Sequence, residues 1–129
     1  MNILILGAAG EIGRMATDML LRQTNANLIL FARDASKRLK AADKQRVRIV
    51  NGNFKDTDSL KEVMKGVDVV YINAMSDKAA MMSIATAMKS SGVKRIIGAT
   101  ILGIYDEVPG AFGNWNKRMV GLSRTRQVA

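Results

Sequence analysis

The chain has 129 residues, enough for one domain with a sizeable core, and its 48% hydrophobic and 24% charged residues are typical of a globular protein. It has no cysteine and no histidine, which excludes disulfides, thiol catalysis and the usual zinc ligand sets. No apolar run approaches the roughly 20 residues of a membrane helix, and the start "MNILIL" lacks the basic segment and cleavage site of a signal peptide, so we expect one cytoplasmic domain over 1–129 without metal or membrane partners.

Short β-rich runs alternate with helical patterns along the first hundred residues. Strands are predicted at 2–6, 27–32, 47–51, 67–73 and 94–100. The alternation indicates stacked βαβ units, and right-handed crossovers between them give a doubly wound parallel sheet of strand order 3-2-1-4-5, the Rossmann arrangement. Beyond Thr100 the pattern gives way to a glycine-rich loop and a weak helical stretch.

The predicted helices are marked by apolar stripes and by their caps. Two stripes have helical spacing: Ile12, Met15, Ala16, Met19 and Leu20 after the first strand, and Met81, Ile84, Ala85 and Met88 after the fourth. Asp56 or Thr57 caps a helix that ends at Lys65, with Gly66 suited to a left-handed turn. Ser76 or Asp77 caps the helix that Gly92 closes.

"GAAGEIG" lies between the first strand and the first helix and predicts a dinucleotide site. Gly7 permits the tight turn, Gly10 lets the backbone approach a pyrophosphate, and Gly13 lets the helix pack closely on the sheet. The intervening Ala9, Glu11 and Ile12 belong to the same candidate site. Glu11 is awkward beside phosphates, although its charge favours the helix dipole.

The net charge of +9 is concentrated in two segments. Residues 33–48 carry seven basic residues against Asp34 and Asp43, a net charge of +5, and four basic residues from Lys117 onward face no acid. We expect an anionic small ligand near the first segment and a solvated second one. With 5% aromatic residues and no recognition motif, nucleic-acid binding is disfavoured.

The Gly-x-x-Gly-x-x-Gly spacing resembles that of atypical short-chain dehydrogenases/reductases, specifically the NmrA-like NAD(P)-binding proteins and their flavin-reductase relatives. "FARD", "NGNFKDTDSLKEVMKGVDVVY", "NA" at 73–74 and "GVKRIIGAT" extend the resemblance over about residues 1–105. Relatives of this kind usually continue into further elements that build the substrate pocket, so the chain looks truncated at its C-terminal end.

The resemblance implies where the cofactor would lie. Arg33, with Lys37 or Arg38 assisting, would hold the 2′-phosphate of NADP, whereas Asp34 could hold the ribose of NAD; the basic surroundings favour NADP. Asn53 and Phe54 match positions beside the adenine. The remaining positions lie at the ends of the fourth and fifth strands: Asn73, Ala74 and Met75 along the cofactor, and Thr100 at the nicotinamide ribose.

The Tyr-x-x-x-Lys pair of short-chain dehydrogenases is absent, because Gly113 stands four residues before Lys117. Neither Tyr71 nor Tyr105 has a lysine at that spacing. We therefore expect an NAD(P)-binding, oxidoreductase-derived protein without ordinary carbonyl reduction, and its substrate stays unidentified. The alternative is a non-enzymatic NADP(H) sensor acting through a protein partner. The exposed edge of the fifth strand also predicts a homo-oligomer.

Overall fold

The computed structural model describes residues 1–73, 77–100 and 105–120, excluding the side chain of Val120. The strands are β1 (Asn2–Leu6), β2 (Asn27–Ala32), β3 (Val47–Asn51), β4 (Val69–Ile72) and β5 (Arg95–Gly98). The helices are α1 (Glu11–Gln23), α2 (Ala35–Arg38), α3 (Thr57–Val63), α4 (Lys78–Ser91) and α5 (Gly110–Val120). None of these helices combines the length and the apolar character that crossing a membrane requires.

The five strands form one parallel sheet in the order β3-β2-β1-β4-β5, which confirms the predicted topology. Its two faces carry separate cores. Ile3 and Ile5 of β1 face α1 and α2, while Leu4 and Leu6 of the same strand face α3 and α4. Alternating side chains of β1 are buried on both faces because helices cover both faces of the central strands.

The predicted apolar stripe of α1 is wrong at three of its five positions. Ile12, Met15 and Met19 are each more than half exposed, whereas the buried residue of this helix is Gly13. A periodic pattern identifies an apolar stripe but does not show which part of it a neighbouring element covers. Here Met19 lines an open groove with Val69, Tyr71 and Ile97 of β4 and β5, and none of the described elements covers it.

The helix ends follow the predictions closely. The Asp56 carboxylate accepts a hydrogen bond from the Ser59 N–H, and the Asp77 carboxylate accepts from the Ala79 N–H at 2.9 Å. Gly66 and Gly92 have φ of 73° and 76°, the left-handed conformation expected of them. Along α4, Ala80, Ile84 and Ala87 are buried, but Ala85 of the predicted stripe is exposed.

The C-terminal elements are packed much less than the rest. All four residues of β5 are exposed, although the strand pairs in register with β4. The weak helical stretch is the helix α5, whose Phe112, Trp115 and Met119 are each more than half exposed. Assembly through the edge of β5 stays a prediction.

Candidate functional site

The ends of four neighbouring strands lie together at the carboxyl edge of the sheet. Leu6 is in register with Phe31 of β2 and Ile72 of β4, and Ile72 with Gly98 of β5. The loops that follow these strands therefore converge on one edge. Ligands of open parallel sheets bind at this edge, and all the predicted cofactor residues that the structure describes follow strand ends or begin α1.

The turn between β1 and α1 is tight and held by backbone hydrogen bonds. Gly7 has φ of 85°, and its N–H donates to the Phe31 carbonyl at 3.1 Å. The Gly10 N–H donates back to the Gly7 carbonyl at 3.0 Å. A Cβ on Gly13 would lie 2.5 Å from the Gly7 oxygen, so glycine here is required for α1 to approach the turn.

Gly10 is different, because the protein itself does not require a glycine there. Its φ of −74° and ψ of 164° suit any residue, and the nearest atom that a Cβ would meet is the Gly7 oxygen at 3.4 Å, an ordinary contact distance. The residue is exposed and begins α1 without a side-chain cap. Helix geometry leaves the N–H groups of Glu11, Ile12 and Gly13 without a partner in the helix. The exposed space above Gly10 therefore fits an anion approaching these donors.

Two basic side chains after β2 are available to a ligand. Arg33 and Lys37 are exposed and form no ion pair within the described residues. Asp34 between them adopts φ of 51°, and its carboxylate does not cap α2. The local arrangement thus presents two cations and one carboxylate, and both cofactor alternatives remain chemically open here.

Arg38 connects this basic segment to the glycine turn. Its guanidinium donates to the Ala9 carbonyl at 3.4 Å and to the Arg33 carbonyl at 3.5 Å. Arg14 of α1 in turn donates to the Arg38 carbonyl at 3.0 Å. Sequence reasoning missed Arg14, because its spacing from the motif carries no signal. These bonds link the glycine turn to the segment that carries Arg33.

The rest of the basic segment lies elsewhere, so residues 33–48 do not form one anion patch. Arg46 donates to the carbonyls of Leu21, Thr24 and Ala26, at the C-terminal end of α1. Together with Arg48 it lines a cavity at the opposite, amino edge of the sheet. Within the described residues, Arg38 is the basic side chain of this segment that bonds to the glycine turn.

Asn53 and Phe54 begin the loop after β3. The Asn53 side-chain oxygen accepts the Lys55 N–H at 3.0 Å, which leaves its amide N–H groups free to donate to a ligand. Phe54 is half-buried and stacks on Phe31 with ring centroids 5.9 Å apart. A Cβ on Gly52 would collide with the Phe31 ring, so this glycine, missed by sequence reasoning, sets the path of the loop.

An ion pair joins the loop after β3 to the start of α4. Lys55 Nζ lies 2.7 Å from Asp77 Oδ2, and both side chains are partly exposed. The Lys55 ammonium, opposed by desolvation and helped by the N–H groups of Ala80 and Ala79, holds the pKa of Asp77 below its ordinary value. The ion pair thus connects two segments at the carboxyl edge of the sheet.

The last predicted cofactor residues follow β4 and β5. Asn73 is half-buried, and its N–H donates to the Leu6 carbonyl at 3.4 Å, which places it beside the start of the glycine turn. Thr100 is exposed two residues after the end of β5. Ala74 and Met75 lie outside the described residues.

Lys117 is engaged by an acid, not by a tyrosine. Its Nζ lies 2.5 Å from Asp106 Oδ1. Gly113, four residues earlier, is buried, and a Cβ there would collide with the Val108 carbonyl. A tyrosine at this position is therefore incompatible with the observed packing of α5. Within the described ranges, no cluster of acidic side chains has the grouping of a metal site.

Known proteins of similar sequence bind nicotinamide dinucleotides. Residues 7–127 match the model of a family described as NAD(P)H-binding. The chain is 28% identical over 116 residues to an NAD(P)H azoreductase of Xenophilus azovorans, a match that covers 88% of the chain and 40% of that enzyme.

Solved structures agree with this. A short-chain dehydrogenase/reductase of Veillonella parvula, determined in complex with NADP, superposes with a TM-score of 0.89 at 30% identity. A Rossmann-fold NAD(P)-binding protein of Shigella flexneri gives 0.67 at 34% identity, over 74% of this chain and 49% of that one. The chain spans 61% of the Veillonella protein, and 98% of the chain takes part in the match.

Proposed function

The chain belongs to the NAD(P)H-binding family, and we propose that it acts as an NADPH-preferring reductase domain of the atypical short-chain type. The observation that carries this proposal is Gly10. Its backbone conformation suits any residue and a Cβ would fit, so the fold gives no reason for glycine, whereas close approach of a pyrophosphate does.

The basic segment supports NADPH over NADH. Arg33 and Lys37 are exposed, and Arg38 of the same segment reaches the glycine turn. A guanidinium offers two parallel donors to a phosphate, which suits the 2′-phosphate that distinguishes NADPH. The Veillonella protein bound to NADP supports the same choice.

Four further parts of the candidate site have a role in this proposal. The N–H groups of the first turn of α1 hold the pyrophosphate, the amide of Asn53 donates to the adenine, and Asn73 and Thr100 border the nicotinamide end. When bound, the dinucleotide supplies the reducing equivalent. The chain lacks the tyrosine that delivers a proton to a carbonyl in short-chain dehydrogenases, so the acceptor we propose is a flavin or quinone. The sensor alternative has no support among the matched proteins.

Binding of NADPH to Gly10→Val tests the proposal. Valine branches at Cβ and fills the space above the turn, so we expect affinity to fall at least about a hundredfold, equivalent to about 2.7 kcal/mol. Ala85→Val is the control, because it places the same valine side chain at an exposed position of α4. Calorimetric titration measures the affinities, and circular dichroism verifies that both variants are folded. Equal affinities of Gly10→Val and wild type would refute the site.

A further inference from the structure

An apolar groove lies open on the α1 side of the sheet. It has a volume of about 290 Å³ and is lined by β1, α1, β4 and β5, with Met19, Leu20, Val69, Tyr71 and Ile97 among its side chains. Met19 and Ile97 are each more than half exposed. The lining of this groove carries no charged side chain, unlike the carboxyl edge of the sheet near Arg33 and Lys37.

The same chain carries an apolar helix face that nothing described covers. Phe112, Trp115 and Met119 have i, i+3, i+7 spacing and so lie on one side of α5, which we call the α5 stripe. They are 57%, 51% and 67% exposed, and the two rings stack with centroids 5.7 Å apart. A stacked aromatic pair on a water-exposed helix face is typical of a surface that binds another apolar surface.

We propose that two copies of this chain associate by exchange, with the α5 stripe of each copy seated in the groove of the other. The described residues of one copy leave both surfaces open, because the groove lining includes no residue of α5. An exchange of the same element between two copies covers both grooves and both stripes at once. Because it is reciprocal, it closes as a twofold dimer and leaves neither a groove nor a stripe open for a further copy.

The area available is sufficient for such a dimer. Each aromatic side chain can bury roughly 150–250 Å² and about half of that is still exposed in both rings of the stripe. Adding Met119 and the groove surface beneath gives roughly 600 Å² for each seated helix, or about 1,200 Å² for two, the lower end of stable interfaces. A single seated helix would bury about half of this area and would associate more weakly than the reciprocal pair.

Trp115 is the only tryptophan, so its emission reports the proposed contact directly. We expect the emission to shift to shorter wavelength and iodide quenching to weaken as concentration rises, in step with dimer mass from sedimentation. Met19→Lys, which places a charge in the groove, should raise the dimer dissociation constant at least about tenfold. Met82→Lys is the matched control, on an exposed methionine of α4 at the other face of the sheet, and should leave the constant unchanged.

Mixing two defective copies gives the decisive result. Met19→Lys has a damaged groove and an intact stripe, whereas Phe112→Lys has an intact groove and a damaged stripe. Neither variant alone can bring an intact stripe into an intact groove. A mixed pair can, because the stripe of Met19→Lys fits the groove of Phe112→Lys. We expect the mixture to associate more tightly than either variant alone. A mixture that associates no better, Trp115 shielding that does not depend on concentration, or equal effects of Met19→Lys and Met82→Lys would each overturn the proposal.

Discussion

Ile5, Tyr71 and Ile97 lie side by side in one row across β1, β4 and β5, on the same face of the sheet. Ile5 is fully buried and Ile97 is 52% exposed. β1 is central and has helices on both faces, whereas β5 is an edge strand whose four residues are exposed among the described elements. The comparison shows that the part of the sheet from β3 to β4 has a complete core, whereas the apolar residues of β5 and α5 are left exposed by the described elements.

The comparison is tested most directly by truncating the two isoleucines of this row. Ile5→Ala should lower the free energy of unfolding by about 2–5 kcal/mol, because it leaves a cavity in a packed core. Ile97→Ala removes the same atoms from a position that is half-exposed in a single copy, so at concentrations below the dimer dissociation constant it should cost about 1 kcal/mol. Urea unfolding followed by circular dichroism measures both. Equal losses at these concentrations would mean that Ile97 is as well covered as Ile5 within a single copy.

Arg33 and Arg48 provide a second comparison, because they lie at opposite edges of the sheet. Arg33→Ala should weaken NADPH at least about tenfold while changing NADH little, because a charge-assisted contact to the 2′-phosphate is worth about 1.5–3 kcal/mol. Arg48→Ala removes the same charge at the opposite edge of the sheet and should affect both dinucleotides equally and weakly. Parallel titrations measure the ratio. Tighter binding of NADH than NADPH by the wild type would show that Asp34 holds the ribose.

Lys117 tests the chemistry assigned to the C-terminal end. Since it pairs with Asp106 and Gly113 stands in place of the tyrosine, Lys117→Met should change dinucleotide affinity at most about twofold, well under 1.4 kcal/mol. We also expect the wild type to reduce no ketone of a standard panel with NADPH. Robust ketone reduction that Lys117→Met abolishes would reveal a proton donor that neither sequence nor structure identifies.

Asp77 gives the smallest effect, and it depends on pH. Its pKa is lowered in the folded protein by the Lys55 ammonium, so its stabilising contribution is present above the unfolded pKa of about 3.9 and is lost as pH falls through the lower folded value. Asp77→Asn keeps a capping side chain but cannot form the ion pair. The free energy of unfolding of this variant should therefore fall slightly less than that of the wild type as the pH drops below about 3.9. Asp58→Asn is the control, because its carboxylate is nearly fully exposed and lies 3.8 Å from Lys61. If the free energy of unfolding fell equally with pH in Asp77→Asn and in the wild type, the ion pair with Lys55 would not contribute to stability.

The sequence alone determined the strand order and the glycine turn. Both depend on local rules: strand runs bounded by turns, right-handed crossovers, and glycines at the positions where backbone or helix approach demands them. Gly7 and Gly13 have the conformation and the close contact that the motif predicts. The assignments of Arg33, Asn53 and Thr100 to the cofactor stay predictions.

Only the tertiary structure decided which residues of an apolar stripe are buried and which residues of the basic segment contact the glycine turn. Met15 and Met19 belong to a regular stripe but are exposed, because burial depends on whether a neighbouring element covers the helix. Arg38 and Arg46 share one basic segment, yet one reaches the glycine turn and the other the far end of α1. A guanidinium bonds whatever carbonyls the fold brings within about 3 Å, and that distance is set by residues remote in sequence, which no local pattern encodes.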